Sequence, residues 1–203
     1  MNPPGTEADA EVRSIAVRPA RKVAQVWIET LSDDPEAVSA FAVAQRSPGG
    51  AMLRSLRRAR VIEIEGALPP AAELAERLHD STRFYNPNKE RSHLRLNETD
   101  PAPVAAGERA VLVFDRGGER REGAERWWKR ATGSAARVRE GTAWILGAAS
   151  AAELDVLTGQ LFEAGDSGHG LLCNPHAEEY RRAEAQVPLA WFASVAKARK
   201  GKR

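Results

Sequence analysis

The chain has 203 residues, 42% of them hydrophobic and 29% charged, with a formal net charge of +2. That length admits one large domain or two small ones with a core of their own, and the near-balance of charge sets up no strong field toward nucleic acid or membrane. A single cysteine, Cys173, excludes an internal disulfide framework and a cysteine-based zinc cage. No apolar run approaches membrane-spanning length and the first residues lack the apolar core of a signal peptide, so a soluble cytoplasmic protein is expected.

Residues 1–21 are rich in Pro, Gly, Ala and charge and read as a flexible arm. Lys22–Leu31, with Val23, Val26, Trp27 and Ile28, reads as a strand. Ser32-Asp33-Asp34-Pro35-Glu36 then has the cap, the proline and the acidic first turn of a helix start. Val38, Phe41 and Val43 continue that helix until Ser47-Pro48-Gly49-Gly50 interrupts it, and Met52-Leu53-x-x-Leu56 suggests a second helical piece before the strand Val61–Glu65. After the turn at Gly66–Pro70, Leu74, Ala75 and Leu78 mark one face of a helix. Asn97–Gly107 has linker composition.

Beyond the linker the same order returns. Ala110–Phe114 is the strongest strand pattern in the chain, and Glu122–Thr132 reads as a helix that can turn Trp127, Trp128 and Ala131 to one face. Val138–Leu146 fits one strand or a hairpin about Glu140-Gly141. Ser150 with Glu153 forms a capping-box pattern, and Leu154, Leu157, Leu161 and Phe162 give the helix behind it an apolar stripe.

Each half closes on an Asn-Pro step. Phe84-Tyr85-Asn86-Pro87 and Leu172-Cys173-Asn174-Pro175 share a layout of two bulky or apolar residues, Asn-Pro and then charge, and the two asparagines are 88 residues apart (174 − 86). Two matched series of elements ending on matched punctuation indicate two copies of one unit. Each copy has the content of a split β-α-β unit with helices on one sheet face, so an α+β protein is expected, its two sheets packed face to face and its helices outside.

Leu171-Leu172-Cys173-Asn174-Pro175 followed by Glu178-Glu179-Tyr180 resembles the Leu-Leu-Ala-Asn-Pro…Glu-Asp-Tyr signature of PurS, the small subunit of phosphoribosylformylglycinamidine synthase. The resemblance covers residues 108–186 and extends more faintly over 22–96, with residues 187–203 left as a basic tail. It implies an internal pseudo-dimer of ferredoxin-like, PurS-like repeats. The implied function is that of a non-catalytic adaptor bridging a glutaminase and an ATP-dependent synthetase, assisting ammonia transfer in purine biosynthesis. No cofactor is expected on this chain, since ATP and glutamine belong to the partner subunits. By the same carry-over Leu172, Asn174, Pro175, Glu179 and Tyr180 lie at or beside a subunit interface, and Tyr85, Asn86 and Pro87 hold the matching places in the first copy.

Competing chemistry is thinly supported. Gly165-Asp166-Ser167-Gly168 matches the nucleophile motif of chymotrypsin-like proteases, but its flanks are helical and no other protease motif is present. His169, Cys173 and His176 offer a partial metal site without a fourth ligand, and Cys173 beside Leu-Leu reads as a small apolar residue rather than an activated thiol. No phosphate loop, dinucleotide fingerprint or paired-carboxylate site appears, so no catalysis is assigned to the chain alone. The alternative is an RNA-binding module using Trp27 and Trp144 on the strands with the basic clusters Arg54–Arg60 and Lys197–Arg203. Glu29, Glu63 and Glu65 beside those strands oppose it.

Overall fold

In the computed structural model, residues 22–165, 168–183 and 186–193 are described. They form an α+β fold of one six-stranded antiparallel sheet and four helices. The elements of the first half are β1 (Lys22–Thr30), α1 (Pro35–Ala44), β2 (Ser55–Gly66), α2 (Ala71–Asp80) and β3 (Glu90–Arg95). Those of the second are β4 (Glu108–Asp115), α3 (Glu122–Thr132), β5 (Ala136–Gly147) and α4 (Ala151–Phe162). A two-residue pair, β6 (Ala164–Gly165) and β7 (Gly168–His169), then precedes β8 (Glu178–Arg182). The sheet order is β3-β1-β2-β5-β4-β8, so each half contributes three adjacent strands and the halves join edge to edge through β2 and β5.

That join corrects the expected pair of stacked sheets. The strands twelve residues long in each half, β2 and β5, pair along their full length from Ser55↔Gly147 to Gly66↔Ala136. Arg60 faces Thr142 in this register. A twofold axis through that pair makes Ile62 equivalent to Trp144 and Ile64 to Leu146. Followed outward through the neighbouring registers it relates Val26 to Val111, Ile28 to Val113 and Glu90 to Glu178. The separation of the two Asn-Pro steps is thus the separation of equivalent residues in the two outer strands. Continuing the sheet satisfies the backbone of β2 and β5, which as outer strands would each expose a ladder of unpaired N–H and C=O groups.

Local chemistry explains most boundaries. Asp34 caps α1, its Oδ1 accepting the N–H groups of Glu36 at 2.9 Å and Ala37 at 3.3 Å. Ser150 caps α4 by accepting from the Glu153 N–H at 3.2 Å, while the Glu153 carboxylate takes the Ala149 N–H at 2.8 Å. The expected helical piece at Met52–Leu56 is a 3-10 turn at Gly50–Met52, and Leu56 already belongs to β2. A β-carbon on Gly50 would lie 1.9 Å from the Ala44 carbonyl oxygen, so this fold-back from the end of α1 requires glycine. Glu140-Gly141 makes no hairpin and lies inside the single strand β5.

The helices interlock the halves. Strand alternation puts Leu56, Ile62 and Ile64 on one face of β2, and all four helices pack on that face. There α1 of the first half shares a core with α4 of the second, built from Ala37, Ala44, Leu53 and Leu56 with Leu154, Leu157, Leu161 and Phe162. The other cluster pairs α2 with α3 through Leu74, Leu78 and Trp128 over Val26, Ile28 and Ile62. The buried residues of α1 are Ala37 and Ala44, whereas Val38 and Val43 are exposed.

The opposite face is covered by the chain itself. Ala183, Val187, Trp191 and Phe192 pack on Trp27, Ala59, Val61, Ala110, Leu112, Phe114, Ala143 and Ile145, with Ala102 and Val104 of the linker beside them. Trp191 stacks on Trp27 at 5.9 Å and Phe192 meets Phe114 at 5.4 Å, arrangements that add about 1 kcal/mol each beyond area burial. The segment expected to begin a basic tail at residue 187 is therefore a strap across the sheet. Three buried polar side chains fasten it. Gln25 donates to the carbonyls of Pro188 (3.0 Å) and Leu189 (3.1 Å), Arg95 to that of Val187 (3.0 Å), and Glu63 accepts the Phe192 N–H at 3.1 Å. Residues 1–21 and 194–203, the expected arm and the rest of the tail, lie outside the described residues.

Two outcomes follow from this architecture. A chain cut at Gly107 and produced as two co-expressed pieces should elute as one complex, and each piece alone should lack the dispersed spectrum of a folded domain, because neither half owns a complete helix-face core. Glu63 supplies the second. Burial pushes its carboxyl up to about 7, against the lowering effect of the Phe192 and Trp191 amides and of Arg139. A raised carboxyl favours the folded state only while protonated, so its cost is absent below about pH 4.5, grows through pH 7 and is full above it. Glu63→Gln should therefore stabilise the protein by about 2 kcal/mol at pH 8 and by little near pH 4.5, as read from urea unfolding at both pH values.

Candidate functional site

The Asn-Pro steps mark the same built turn twice. Asn86 Oδ1 accepts the Asn88 N–H at 3.0 Å, its carbonyl accepts from Lys89 (2.9 Å) and Glu90 (2.8 Å), and its own N–H donates to Glu90 Oε2 at 2.7 Å. Asn174 repeats each bond: Oδ1 from His176 at 3.0 Å, the carbonyl from Ala177 (3.1 Å) and Glu178 (2.7 Å), and its N–H to Glu178 Oε2 at 2.6 Å. Proline after the asparagine presets the turn, the asparagine side chain closes it, and the glutamate four residues on locks the entry amide. These turns open β3 and β8, the two outer strands, rather than directly closing α2 and α4, which end at Asp80 and Phe162. Neither glutamate was singled out as a site residue from sequence, although Glu178 belongs to the quoted signature; the repeated Asn-Pro-x-x-Glu spacing was the signal available.

The expected interface residues divide into two sets. Asn86, Asn174, Pro175 and Glu179 are exposed, and Pro87 and Tyr180 are half-buried. Tyr85 and Leu172 are buried in the chain's own core, beneath the exposed turns that they precede. Tyr85 packs with Phe84 under α2, and its hydroxyl lies 3.0 Å from His79 Nδ1. Leu172 sits against α4, its N–H donating to the Leu161 carbonyl at 2.9 Å.

Around the second turn the residues form two shallow clefts. One, of about 400 Å³, opens among Glu36, Thr142, Trp144, Leu172, Asn174 and Glu178. The other, of about 510 Å³, lies among Arg116, Phe162, Glu163, Cys173, Pro175 and Tyr180. In the latter Tyr180 donates its hydroxyl to Glu163 Oε1 at 3.0 Å, and burial together with that carboxylate pushes the phenol up to about 12. Arg116 pairs with Glu179 at 3.4 Å.

Reactive chemistry finds little support here. Burial, with Glu178 nearby, pushes the Cys173 thiol up to about 11, so it stays protonated at neutral pH and is a poor nucleophile. Among the described residues no group of three His, Cys, Asp or Glu side chains is placed to hold a metal ion. Asp166 and Ser167 of the Gly165-Asp166-Ser167-Gly168 motif, and the side chain of His169, lie outside what is described. The two tryptophans considered for stacking on RNA are both buried, Trp27 under Trp191 on the strap side and Trp144 on the helix side. Nor does any described helix have the length and apolarity to cross a membrane.

The repeated turn can be tested on its own. Asn86→Ala and Asn174→Ala should each cost about 1 kcal/mol by removing the side-chain bond that closes the turn. The two losses should add in the double variant, since the turns share no partner. Urea unfolding of the three variants reads all of this; a much larger loss at one turn only would show that the copies are not equivalent.

No family model, curated protein or solved structure matches the chain, so the reading of its function rests on its own residues and geometry.

Proposed function

We propose that the chain is a non-catalytic adaptor subunit of a phosphoribosylformylglycinamidine synthase, acting in the cytoplasm in de novo purine biosynthesis. It would hold a glutaminase subunit against an ATP-dependent synthetase subunit and assist the passage of ammonia between them. ATP and glutamine would bind those partners. The observation that carries this reading is the doubled unit: strand, helix, strand, helix, Asn-Pro turn and outer strand occur twice in one order. In the second copy the turn and outer strand hold Leu171-Leu172-Cys173-Asn174-Pro175 and Glu178-Glu179-Tyr180, the residues that resemble the PurS signature.

The fold supports an assembly role in a further way. In each half the connection through α2 or α4 passes over a strand already in the sheet, the split β-α-β arrangement on which a PurS-like, ferredoxin-like description of the repeats rests. The sheet face is occupied by the strap, so a partner would meet the helical layer, the Asn-Pro turns or the outer strands β3 and β8.

Reconstitution tests the proposal. The purified chain should show neither ATPase nor glutaminase activity, and adding it to the synthetase and glutaminase subunits should raise glutamine-driven amidation while leaving ammonia-driven amidation nearly unchanged. Glu179→Arg, an exposed change at the second turn, should weaken assembly at unaltered thermal stability. If neither activity responds to the chain, the adaptor reading is lost; binding to RNA with a steep salt dependence would put the alternative in its place.

A further inference from the structure

The two halves differ where the pseudo-twofold axis meets the helical face. The first half has Arg60 there and the second has Thr142, and these residues face each other in register. Arg60 acts as an internal ligand of the first turn. Its Nη2 donates to the Phe84 carbonyl at 2.8 Å and to Glu90 Oε1 at 3.2 Å, and its Nη1 to Glu140 Oε1 at 3.3 Å. Glu90 thus uses one oxygen for the Asn86 amide and the other for a guanidinium.

The second half keeps two of these acceptors, has Arg58 where the first has Glu140, and lacks the donor. Leu172 holds the place of Phe84 and Glu178 that of Glu90, and Glu178 Oε2 takes the Asn174 amide at 2.6 Å as its counterpart does. Thr142 is too short to reach the turn as Arg60 does. Among the described residues no side chain donates to Glu178 Oε1, and the cleft of about 400 Å³ lies where a guanidinium would sit. Trp144, largely buried, borders this cleft where the other half has Ile62, so an aromatic side chain adjoins the position a guanidinium would take. The charge is right as well. Glu36 lines the cleft and shares the single cation Arg58 with Asp34, while Arg116 beside Glu178 is paired with Glu179, so the four carboxylates and two guanidinium groups leave the neighbourhood net negative.

We infer that the Thr142–Glu178 cleft is a binding site for a guanidinium group from outside the chain, with Arg60 as the built-in example of its ligand. A carboxylate preset by the Asn174 amide, a carbonyl at the Leu172 position and an adjoining aromatic side chain match the planar fork of guanidinium better than the compact head of a primary amine. The group can arrive on an arginine side chain of another protein or on a free guanidinium compound. This inference is independent of the adaptor reading, because it concerns the isolated chain.

The test is a titration of the isotope-labelled full chain, followed by amide NMR, with agmatine, with the capped peptide acetyl-Ala-Arg-Ala-amide and with cadaverine. Agmatine or the peptide should give saturable shifts at Thr142, Cys173 and Glu178, and cadaverine should not. Glu178→Gln should weaken binding about tenfold or more. Thr142→Arg should abolish the shifts and raise the melting temperature by occupying the cleft from within. Tighter binding of the peptide than of agmatine assigns the group to a protein partner, and the reverse assigns it to a small molecule. Absence of saturable shifts, equal response to cadaverine, or indifference to Glu178→Gln overturns the inference. Glu178→Gln alone decides the matter if Thr142→Arg does not fold.

Discussion

The pairing of β2 with β5 is the constraint on which the rest of the molecule depends. It sets Arg60 opposite Thr142, and from that one pair the equivalence of every strand in the halves follows. A slip of one residue would turn Leu56, Ile62 and Ile64 from the helical layer to the strap, and would carry Arg58 and Arg60 out of reach of the groups they bind. Burial on both faces penalises such a slip from two sides at once. The exchange of α1 and α3 between the halves depends on the same register, since each of those helices packs beside a helix of the other half.

The faces of the sheet are finished by different means. Helices cover one with apolar side chains, and the surface they leave between them is filled by ion pairs of Arg58, Arg60 and Arg121 with Asp34, Glu36, Glu90 and Glu140. The other is covered by extended chain, which cannot satisfy its own backbone and so needs polar partners from the sheet. Gln25, Glu63 and Arg95 serve that purpose, which is why three such side chains are almost fully buried on an apolar face. Small residues at Ala59, Ala110 and Ala143 let the strap and the linker come close. Arg57 ties the far end by joining Glu29, Glu108 and the Pro103 carbonyl.

The parts legible in the sequence were those with a local cause. Asp34 and Ser150 announced their helices through side-chain caps, and β1 and β4 through runs of β-branched residues. The Asn-Pro repeat was legible because its spacing is fixed by the strand register itself. The strands β3 and β8 were not, since Glu90–Arg95 and Glu178–Arg182 are mostly charged and carry the pattern of exposed outer strands. The start of β2 was hidden by Arg57, Arg58 and Arg60, whose long side chains are paired away from the core. Edge-to-edge joining could not be told from stacking, because either arrangement buries the same apolar residues of the strap face. The strap itself has no period, only Val187, Trp191 and Phe192 among prolines and small residues. Thr142 gave no sign of its place either, because its meaning lies in its difference from Arg60.

The central position of β2 also shapes the way the chain is made. Ribosomal synthesis delivers β2 long before β5, and for several seconds at ordinary elongation rates the central strand of the finished sheet is an open edge. A long apolar edge waiting that long would recruit strands from neighbouring nascent chains. The arginines at 57, 58 and 60 and the glutamates at 63 and 65 sit along that edge and discourage such pairing until the intended partner arrives. Once β4 and β5 are in place, Arg57 finds Glu108, Arg60 finds Glu140 and Glu65 finds Arg139, so charges that guard the unfinished strand become cross-links of the finished one.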